Sequence, residues 1–263
     1  FCNVLSKHVI SAPDVESIYD IPLNFEKEKI GDIIFEKLKL RKKRKETDLS
    51  EWKKFATRTH TVKKEVNIAV IGKYFDTGDF VLSDAYISVI EAIKHASFHL
   101  GRKPKIDWFN AVDFEKDAKK LKELKNYDGI LVPGGFGERG IEGKLKVIEY
   151  ARKNKIPYLG LCYGMQLLVI EYARNVAKMA GANTIEINPK SKYPVIDIMP
   201  DQKTKLEEKD YGGSMRLGAY PAVLENGTIA REAYDSRRIS ERHRHRYEVN
   251  PKYIDQLKKK GLV

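Results

Sequence analysis

This sequence of 263 residues has little cysteine and no long apolar segment. Cys2 and Cys162 are its two cysteines, which is too few for the disulfide framework of a secreted domain and favours a reducing compartment such as the cytoplasm. No apolar run approaches the roughly 20 residues that a membrane-spanning helix needs. No charged segment precedes an apolar one after Phe1, so we predict neither a signal peptide nor a membrane span.

Motifs for metals and for phosphate loops are also absent from the sequence. Gly134 and Gly135 are not followed by Gly-Lys-Ser/Thr, which argues against a Walker phosphate loop. His243 and His245 have no further Cys/His cluster near them in the sequence, so we predict no zinc site. The start without Met and the stop at Val263 predict a piece of a longer protein.

The charge is strongly basic and unevenly distributed. The formal net charge is +12, and residues 36–65 hold 12 Lys/Arg against 5 Asp/Glu. The basic run at residues 40–45 could contact nucleic acid or a membrane surface. Because no aromatic residues interleave it, as binding of single strands would require, we interpret this run as a solvated linker. We therefore predict no nucleic-acid partner and no membrane partner.

Hydrophobic periodicity separates an N-terminal part from an α/β domain. Residues 1–23 hold short apolar runs typical of the tail of another domain, and residues 24–65 are typical of a helical, basic linker. From residue 66 onward, strands alternate with amphipathic helices at short intervals, which predicts a doubly wound, mostly parallel sheet. The predicted strands are 66–71, 105–109, 129–132, 158–161, 184–187, 219–224, 228–233 and 237–247. The predicted helices are 24–40, 83–100, 114–124, 141–154, 165–179 and 251–260, with residues 190–210 as a loop.

The most informative stretch is Gly-x-Cys-x-Gly at residues 160–164. It joins an apolar strand to an amphipathic helix, so Cys162 occupies the turn of a nucleophile elbow with Cys in place of Ser. Gly160 and Gly164 allow the turn to close, and the N-terminus of the following helix favours the thiolate. A buried core cysteine is the alternative, but it leaves the paired glycines unexplained. We therefore predict a reactive nucleophile.

A glycine-rich loop, Pro133-Gly-Gly-Phe-Gly137, ends the predicted strand that precedes the elbow strand in the chain. In open α/β sheets ligands bind beyond the carboxyl ends of the strands, where both the loop and the elbow lie. Gly134 and Gly135 expose backbone N–H groups without side-chain cover. Such donors suit an oxyanion beside a thiol nucleophile.

Basic side chains alternate along residues 237–247. An extended strand would place the arginines at 242, 244 and 246 on one face, opposite His243, His245 and Tyr247. Three guanidiniums suit a carboxylate or phosphate ligand, although a solvated edge strand explains the pattern equally well. A thiol nucleophile also needs a base, commonly an imidazole. His243 or His245 could serve, or the base lies after Val263.

These motifs resemble the class I glutamine amidotransferases and, more narrowly, the CTP synthase family. The resemblance is carried by residues 132–140 (VPGGFGERG), 157–166 (PYLGLCYGMQ), 213–218 (GSMRLG) and 241–250 (ERHRHRYEVN), with support from 17–22 (SIYDIP) and 83–88 (SDAYIS). It implies a flavodoxin-like amidotransferase fold over residues 66–263. It also implies that residues 1–23 end an amidoligase domain and that residues 24–65 are the linker.

The resemblance implies an enzyme that releases ammonia from L-glutamine and passes it through a tunnel to a synthetase domain. There ATP and Mg²⁺ would support amination of UTP to CTP in pyrimidine biosynthesis, with GTP as allosteric activator and a homotetramer as the assembly. The Mg²⁺ site would lie outside this chain. The alternatives are another cysteine hydrolase or amidotransferase of the same fold, and a basic nucleic-acid-binding module.

Roles for individual residues follow from the same resemblance. Cys162 would form a γ-glutamyl thioester, with backbone N–H groups of Gly134 or Gly135 and of Tyr163 as the oxyanion hole. Because only its N–H is used, the side chain of Tyr163 is expected to tolerate substitution. The glutamine pocket would be formed by Phe136, Gly164, Met165, Gln166, Glu186 and Arg246, with Glu186 for the α-ammonium and Arg246 near the α-carboxylate.

Nucleotide sites are implied in the same way. GTP would contact Arg139, Gly140, Glu142 and Arg216, and the adenine of ATP would contact Phe1, Asp14 and Val15. The family's His-Pro-Glu segment, which supplies the base and its orienting carboxylate, is expected after Val263. The 263-residue chain alone is therefore expected to be inactive or impaired.

Overall fold

The computed structural model describes residues 4–40, 48–72, 76–77, 80–81, 86–135, 137–198 and 216–263. Phe1, Phe136 and most of the basic run lie outside the described residues, as do Ser83 and the side chain of Arg216. The chain divides into two compact units. The first unit is Phe1–Val66 with Ser88–Lys105, and the second is Asn67–Ile87 with Ile106–Val263.

The first unit is mainly helical. Its helices are α1 (Ile21–Lys27), α2 (Ile30–Lys37), α3 (Ser50–Thr61) and α4 (Ile87–His99), with 3-10 turns at Ser6–His8 and Ile18–Asp20. The single helix predicted over residues 24–40 is therefore wrong. The chain breaks at Lys29, whose φ of 54° is left-handed, a conformation that an α-helix of L-residues cannot contain.

An aromatic cluster holds the first unit together. Tyr19, Ala56 and Phe98 are buried, and Trp52 and Phe55 pack against them. The Tyr19 hydroxyl donates to the Glu91 carboxylate, and Trp52 Nε1 donates to the Tyr19 carbonyl at 2.8 Å. Burial and the Glu91 carboxylate raise the pKa of Tyr19, so its hydroxyl keeps its proton and remains a donor.

The second unit contains the main sheet. The strands that lie wholly or mainly in it are β1 (Glu65–Gly72), β2 (Asp76–Thr77), β3 (Phe80–Val81), β4 (Lys103–Asn110), β5 (Gly129–Val132), β6 (Tyr158–Gly160), β7 (Asn183–Thr184), β8 (Pro194–Ile198), β9 (Arg216–Val223), β10 (Arg238–His245) and β11 (Tyr247–Val249). Its helices are α5 (Ala111–Lys116), α6 (Ile141–Lys153), α7 (Tyr163–Asn175), α8 (Ile229–Tyr234) and α9 (Pro251–Lys258), with a 3-10 helix at Ala118–Asn126.

The main sheet has the strand order β4-β1-β5-β6. β1 pairs with β5 and β5 with β6, both in parallel, so that Leu131 lies beside Leu159. Helix α6 connects β5 to β6, as a parallel crossover requires. The prediction of an α/β fold with a mostly parallel sheet is confirmed.

Two further sheets complete the second unit. β11-β8-β7 form a three-stranded sheet, with β11 antiparallel and β7 parallel to β8. β9 and β10 form an antiparallel pair. Val195 and Ile196 of β8 are fully buried against α7 and α9 residues in the main core cluster. The loop predicted over residues 190–210 is therefore wrong at β8, and the strand predicted over 184–187 is shorter.

One helix prediction and one strand prediction fail because side chains cap helices at positions that periodicity does not reveal. The helix predicted over residues 114–124 is instead two elements, α5 and a 3-10 helix, which are separated at Asp117. The extended backbone of Asp117 ends α5, and its carboxylate caps the N-terminus of the 3-10 helix. The strand predicted over 228–233 is α8. Thr228 Oγ1 accepts from the backbone N–H of Arg231 at 3.2 Å, as an N-cap does.

Among the described residues, no helix combines the length and the apolar character that spanning a bilayer would take.

The backbone of the elbow, residues 160–164, requires both of its glycines. Cys162 has φ 50° and ψ −105°, a strained combination for a residue with a side chain. A Cβ on Gly164 would lie 2.0 Å from the Val132 carbonyl oxygen, and one on Gly160 would lie 2.5 Å from the Gly164 carbonyl carbon. The close approach of β5, β6 and α7 therefore depends on these two positions lacking side chains.

Replacing Gly164 by alanine tests this steric requirement. Gly164→Ala should lower the free energy of unfolding by about 1–3 kcal/mol or more, because the backbone must shift to relieve the overlap with Val132. Urea denaturation followed by circular dichroism measures the change. Gly135→Ala is the matched control, since its Cβ would make ordinary contacts of 3.8 and 3.9 Å. Equal stability of the two variants would contradict the account.

Candidate active site

Cys162 is the N-cap of α7 and lies two residues after the end of β6. It is a free cysteine with an exposed residue surface. Its Sγ lies 4.0 Å from the carbonyl oxygen of Arg244. The segment of residues 244–247, called the corner below because it contains the bend between β10 and β11, therefore borders the thiol.

The surroundings of Cys162 raise the pKa of its thiol. Desolvation by neighbouring atoms is the largest cause, and the negative charge of Glu186 acts in the same direction, while the backbone N–H of Tyr163 lowers the pKa. The N–H of Tyr163 at the start of α7 therefore favours the thiolate, as predicted, but desolvation and the charge of Glu186 outweigh it. The thiol is neutral at rest, and a base must remove its proton for reaction.

The glycine-rich loop, of which residues 133–135 and 137 are described, lies beside the nucleophile. Leu161 N–H donates to the Val132 carbonyl at 2.9 Å, which joins the ends of β5 and β6. A Cβ on Gly134 would lie 3.5 Å from the Cβ of Cys162. The sequence predicted that the glycine-rich loop and the elbow lie at neighbouring strand ends, and in the structure these two segments are adjacent. The backbone of Gly134 therefore lies next to the nucleophile.

The side chain of Tyr163 holds this loop, which sequence reasoning missed. Its hydroxyl donates to the Gly137 carbonyl at 3.1 Å, while the Gly137 N–H donates to Glu186 Oε1 at 3.3 Å. Burial and nearby carboxylates raise the pKa of Tyr163, so the hydroxyl keeps its proton. The peptide groups of Gly137 are therefore restrained from both sides. No pattern in the sequence signals this contact.

A buried lysine lies beneath the same loop. Lys144 is 2 % exposed, and its Nζ lies 5.7 Å from the centre of the Tyr163 ring. A Cβ on Gly135 would be 3.9 Å from that Nζ. An ammonium over an aromatic face is attracted by the ring quadrupole, so Lys144 fixes the ring that in turn restrains Gly137.

The charged groups expected to hold an amino acid lie around Tyr247. The Glu186 carboxylate raises the pKa of Tyr247 and the Arg246 guanidinium lowers it, with burial as the largest cause of the net rise. Glu186 and Arg246 are both half-buried. The negative charge of Glu186 and the positive charge of Arg246 are complementary to the α-ammonium and the α-carboxylate of a free amino acid.

Arg246 does not continue the arginine face of β10. Arg242 and Arg244 are exposed and His243 and His245 are half-buried, as predicted from alternation. Arg246, however, lies in the bend between β10 and β11, so the single strand predicted over 237–247 is wrong there. The bend turns Arg246 out of the exposed row and explains its partial burial.

The first turn of α7 supports the corner. Gln166 is 4 % exposed, and its Nε2 donates to the Tyr247 carbonyl at 2.8 Å. Met165 is exposed, and Gly164 lies against Val132. In this arrangement Gln166 positions the corner, and Gly164 allows the turn to close.

The positions expected to contact nucleotides fall in both units. Gly140 precedes α6 with a left-handed φ of 79°, and Arg139 is exposed. Glu142 forms an exposed ion pair with Arg174 at 3.2 Å. In the first unit, Asp14 and Val15 line a cavity of about 320 Å³ together with apolar side chains of α1. Within the described ranges, no group of three or more His, Cys, Asp and Glu side chains could hold a metal ion.

Comparison with known proteins gives a consistent result. The family described as Glutamine amidotransferase class-I matches residues 81–263. A protein named CTP synthase from Caldanaerobacter subterraneus is 50% identical over 264 residues, covering 100% of this chain and 47% of the relative. Another of that name from Methanocaldococcus jannaschii is 47% identical over 268 residues, covering 100% and 48%. The chain spans about half the length of the curated relatives it matches.

A solved structure shows the same likeness. The glutaminase domain of Trypanosoma brucei CTPS with bound acivicin is 39% identical, with a TM-score of 0.67. The match covers 75% of this chain and 73% of that one. The described fold therefore resembles that of a glutaminase domain.

Replacing Glu186 by glutamine tests the electrostatics of the thiol. Because the carboxylate raises the pKa of Cys162, Glu186→Gln should lower that pKa and shift alkylation by iodoacetamide towards lower pH. Mass spectrometry of the Cys162 peptide across a pH series measures the midpoint. Glu225→Gln, which removes a carboxylate paired with Lys258, is the control and should leave the midpoint unchanged. A midpoint that stays fixed or rises in Glu186→Gln would contradict the account.

Proposed function

Because this chain belongs to the class I glutamine amidotransferase family, we propose that its second unit hydrolyses L-glutamine at Cys162. The observation that carries the proposal is the placement of three groups around one sulfur. The glycine-rich loop lies on one side of Cys162, the corner lies on another, and Glu186 is close enough to raise the pKa of the thiol.

The reaction follows from this arrangement. A base removes the thiol proton, and the sulfur attacks the side-chain amide carbon of glutamine, placing negative charge on the former carbonyl oxygen. Backbone N–H groups of Gly134 or Gly135 and of Tyr163 would stabilise that oxyanion. The C–N bond breaks, the nitrogen leaves as ammonia after gaining a proton, and a γ-glutamyl thioester remains. Water then hydrolyses the thioester to glutamate and restores the thiol.

Recognition of a free amino acid would depend on Glu186 and Arg246. Glu186 would accept hydrogen bonds from the α-ammonium, and Arg246 would donate to the α-carboxylate. Glu186 already accepts from the Gly137 N–H at 3.3 Å. Ligand binding at Glu186 is therefore coupled directly to the loop that would hold the oxyanion. Phe136, Met165 and Gln166 would complete the glutamine pocket.

The base is proposed to come from a His-Pro-Glu segment following Val263. His245 bonds through both ring nitrogens, to His243 and to the Tyr247 carbonyl, so it offers no ring nitrogen to Cys162. His243 contacts His245 through Nδ1, and the other four histidines, His8, His60, His95 and His99, belong to the first unit. Because its surroundings raise the pKa of the Cys162 thiol, the proposed reaction needs such a base.

We propose that the longer protein is a CTP synthase. Residues 1–23 would end its amidoligase domain, residues 24–65 would be a linker, and residues 66–263 would form the glutaminase domain. The ammonia would aminate UTP to CTP with ATP and Mg²⁺, in a cytoplasmic homotetramer. The apolar cavity at Asp14 and Val15 suits a flat base such as adenine. GTP would act at Arg139, Gly140, Glu142 and Arg216.

Covalent labelling tests the proposed glutamine site. The protein is exposed to 6-diazo-5-oxo-L-norleucine, a glutamine-like electrophile, and analysed by intact and peptide mass spectrometry, with Cys162→Ala as control. We expect one adduct on Cys162 that excess L-glutamine prevents. An adduct only on a longer natural form of the chain would support the glutamine site and assign the base to the added residues. No adduct on either form would contradict the proposed function.

A further inference from the structure

We propose that His245, supported by His243, positions the corner over Cys162 and thereby sets how tightly the site holds its amino-acid ligand. The identity of that ligand as glutamine rests on the proposed function, while the positioning itself rests on hydrogen bonds within the chain. The two histidines are thus positioning residues, distinct from a base that removes the thiol proton.

The carbonyl oxygen of Tyr247 is the anchor of the corner. It accepts one hydrogen bond from Gln166 Nε2 at 2.8 Å and lies 3.0 Å from His245 Nδ1. The first donor comes from the helix that follows the nucleophile, and the second comes from the last residue of β10. This one carbonyl therefore joins the elbow helix to the strand that carries the corner.

The acceptor fixes the tautomer of His245. A carbonyl oxygen can only accept, so Nδ1 of His245 must carry a proton. In the neutral ring Nε2 is then an acceptor, and it lies 2.7 Å from Nδ1 of His243. His243 therefore donates through Nδ1 to His245. This direction of donation, from His243 to His245 to Tyr247, is the only one that satisfies both of these contacts when both rings are neutral.

His243 is itself held by packing. Its ring meets the Tyr220 ring edge-on, with centroids 5.4 Å apart, and Tyr220 comes from the paired strand β9. Both histidines are half-buried on the inner face of β10. The imidazole pair is consequently fixed at one end by an aromatic ring and at the other by the Tyr247 carbonyl.

The position of His245 connects this pair to the reactive sulfur. The preceding residue, Arg244, presents its carbonyl oxygen 4.0 Å from Cys162 Sγ. The following residue, Arg246, carries the guanidinium that would bind the α-carboxylate. A rotation of residue 245 would displace both neighbours, so the hydrogen bonds of its imidazole determine where the two groups lie relative to the sulfur.

Substitutions at His245 test the positioning role. His245→Ala removes the donor to Tyr247, whereas His245→Asn keeps an N–H donor near the position of Nδ1. His99→Ala, which removes an imidazole of α4 in the first unit, is the matched control. For each variant we would measure the rate of Cys162 labelling by 6-diazo-5-oxo-L-norleucine and, separately, by iodoacetamide, which carries no amino-acid group.

We expect His245→Ala to slow labelling by the glutamine-like probe by about fivefold or more, the effect of losing one hydrogen bond. The rate at which iodoacetamide labels Cys162 should stay close to the wild-type rate. A general collapse of the site would change that rate as well. His245→Asn should recover most of the rate. Equal labelling of His245→Ala and wild type by the amino-acid probe would overturn the proposal, as would an equal loss with both probes.

Nitrogen NMR of the wild-type imidazoles gives a readout that does not depend on glutamine chemistry. The Nδ1-protonated tautomer of His245 is expected, and a ring protonated only at Nε2 would overturn the proposal. If the amino-acid probe labels neither the wild-type chain nor its longer natural form, the proposed function fails, and the tautomer still decides whether His245 holds the corner. If only the longer form is labelled, the rates of all variants are measured in that form.

Discussion

The strained turn at Cys162 is the constraint on which the rest of the site depends. A residue with a side chain at φ 50° and ψ −105° is stable only when its surroundings leave no alternative. Here the surroundings are β5, β6 and α7, which approach so closely that side chains at residues 160 and 164 would overlap backbone atoms. The tight turn places Cys162 at the surface, with the thiol partly desolvated by its neighbours.

Three further segments meet at the sulfur because strand ends bring them there. The pairing of β5 with β6 brings the glycine-rich loop beside Cys162. The pairing of β8 with β11 fixes Tyr247 opposite Ile198 and so places the corner. Glu186, which follows β7, bonds to Gly137. Side-chain hydrogen bonds from Tyr163, Gln166 and His245 then fix these segments relative to one another.

The sequence predicted the fold class and the elbow because both depend on local patterns. Alternating apolar strands and amphipathic helices indicate a parallel sheet, and paired glycines around Cys162 indicate a sharp turn. It also placed Gly134 beside Cys162, through the rule that neighbouring strand ends share an edge. Each of these inferences needs only the residues within one or two elements.

The sequence did not predict features that depend on long-range contacts. The pKa of Cys162 rises because of desolvation and Glu186, and neither can be inferred from the helix that follows the thiol. Tyr163 contacts Gly137 across 26 positions in the chain. The bend at Arg246 interrupts a regular alternation, and the cap at Thr228 converts an apparent strand into a helix. The first two depend on contacts distant in the chain, whereas the cap at Thr228 is a local hydrogen bond that hydrophobic periodicity does not reveal.

A crystal structure of the protein after covalent reaction with a glutamine analogue would test the central claim most directly. The account predicts the analogue on Cys162 Sγ with its former carbonyl oxygen at the N–H groups of the glycine-rich loop and Tyr163. Its α-ammonium should bind Glu186 and its α-carboxylate should bind Arg246. An analogue attached to Cys162 with its amino-acid end directed away from both charged residues would contradict the account.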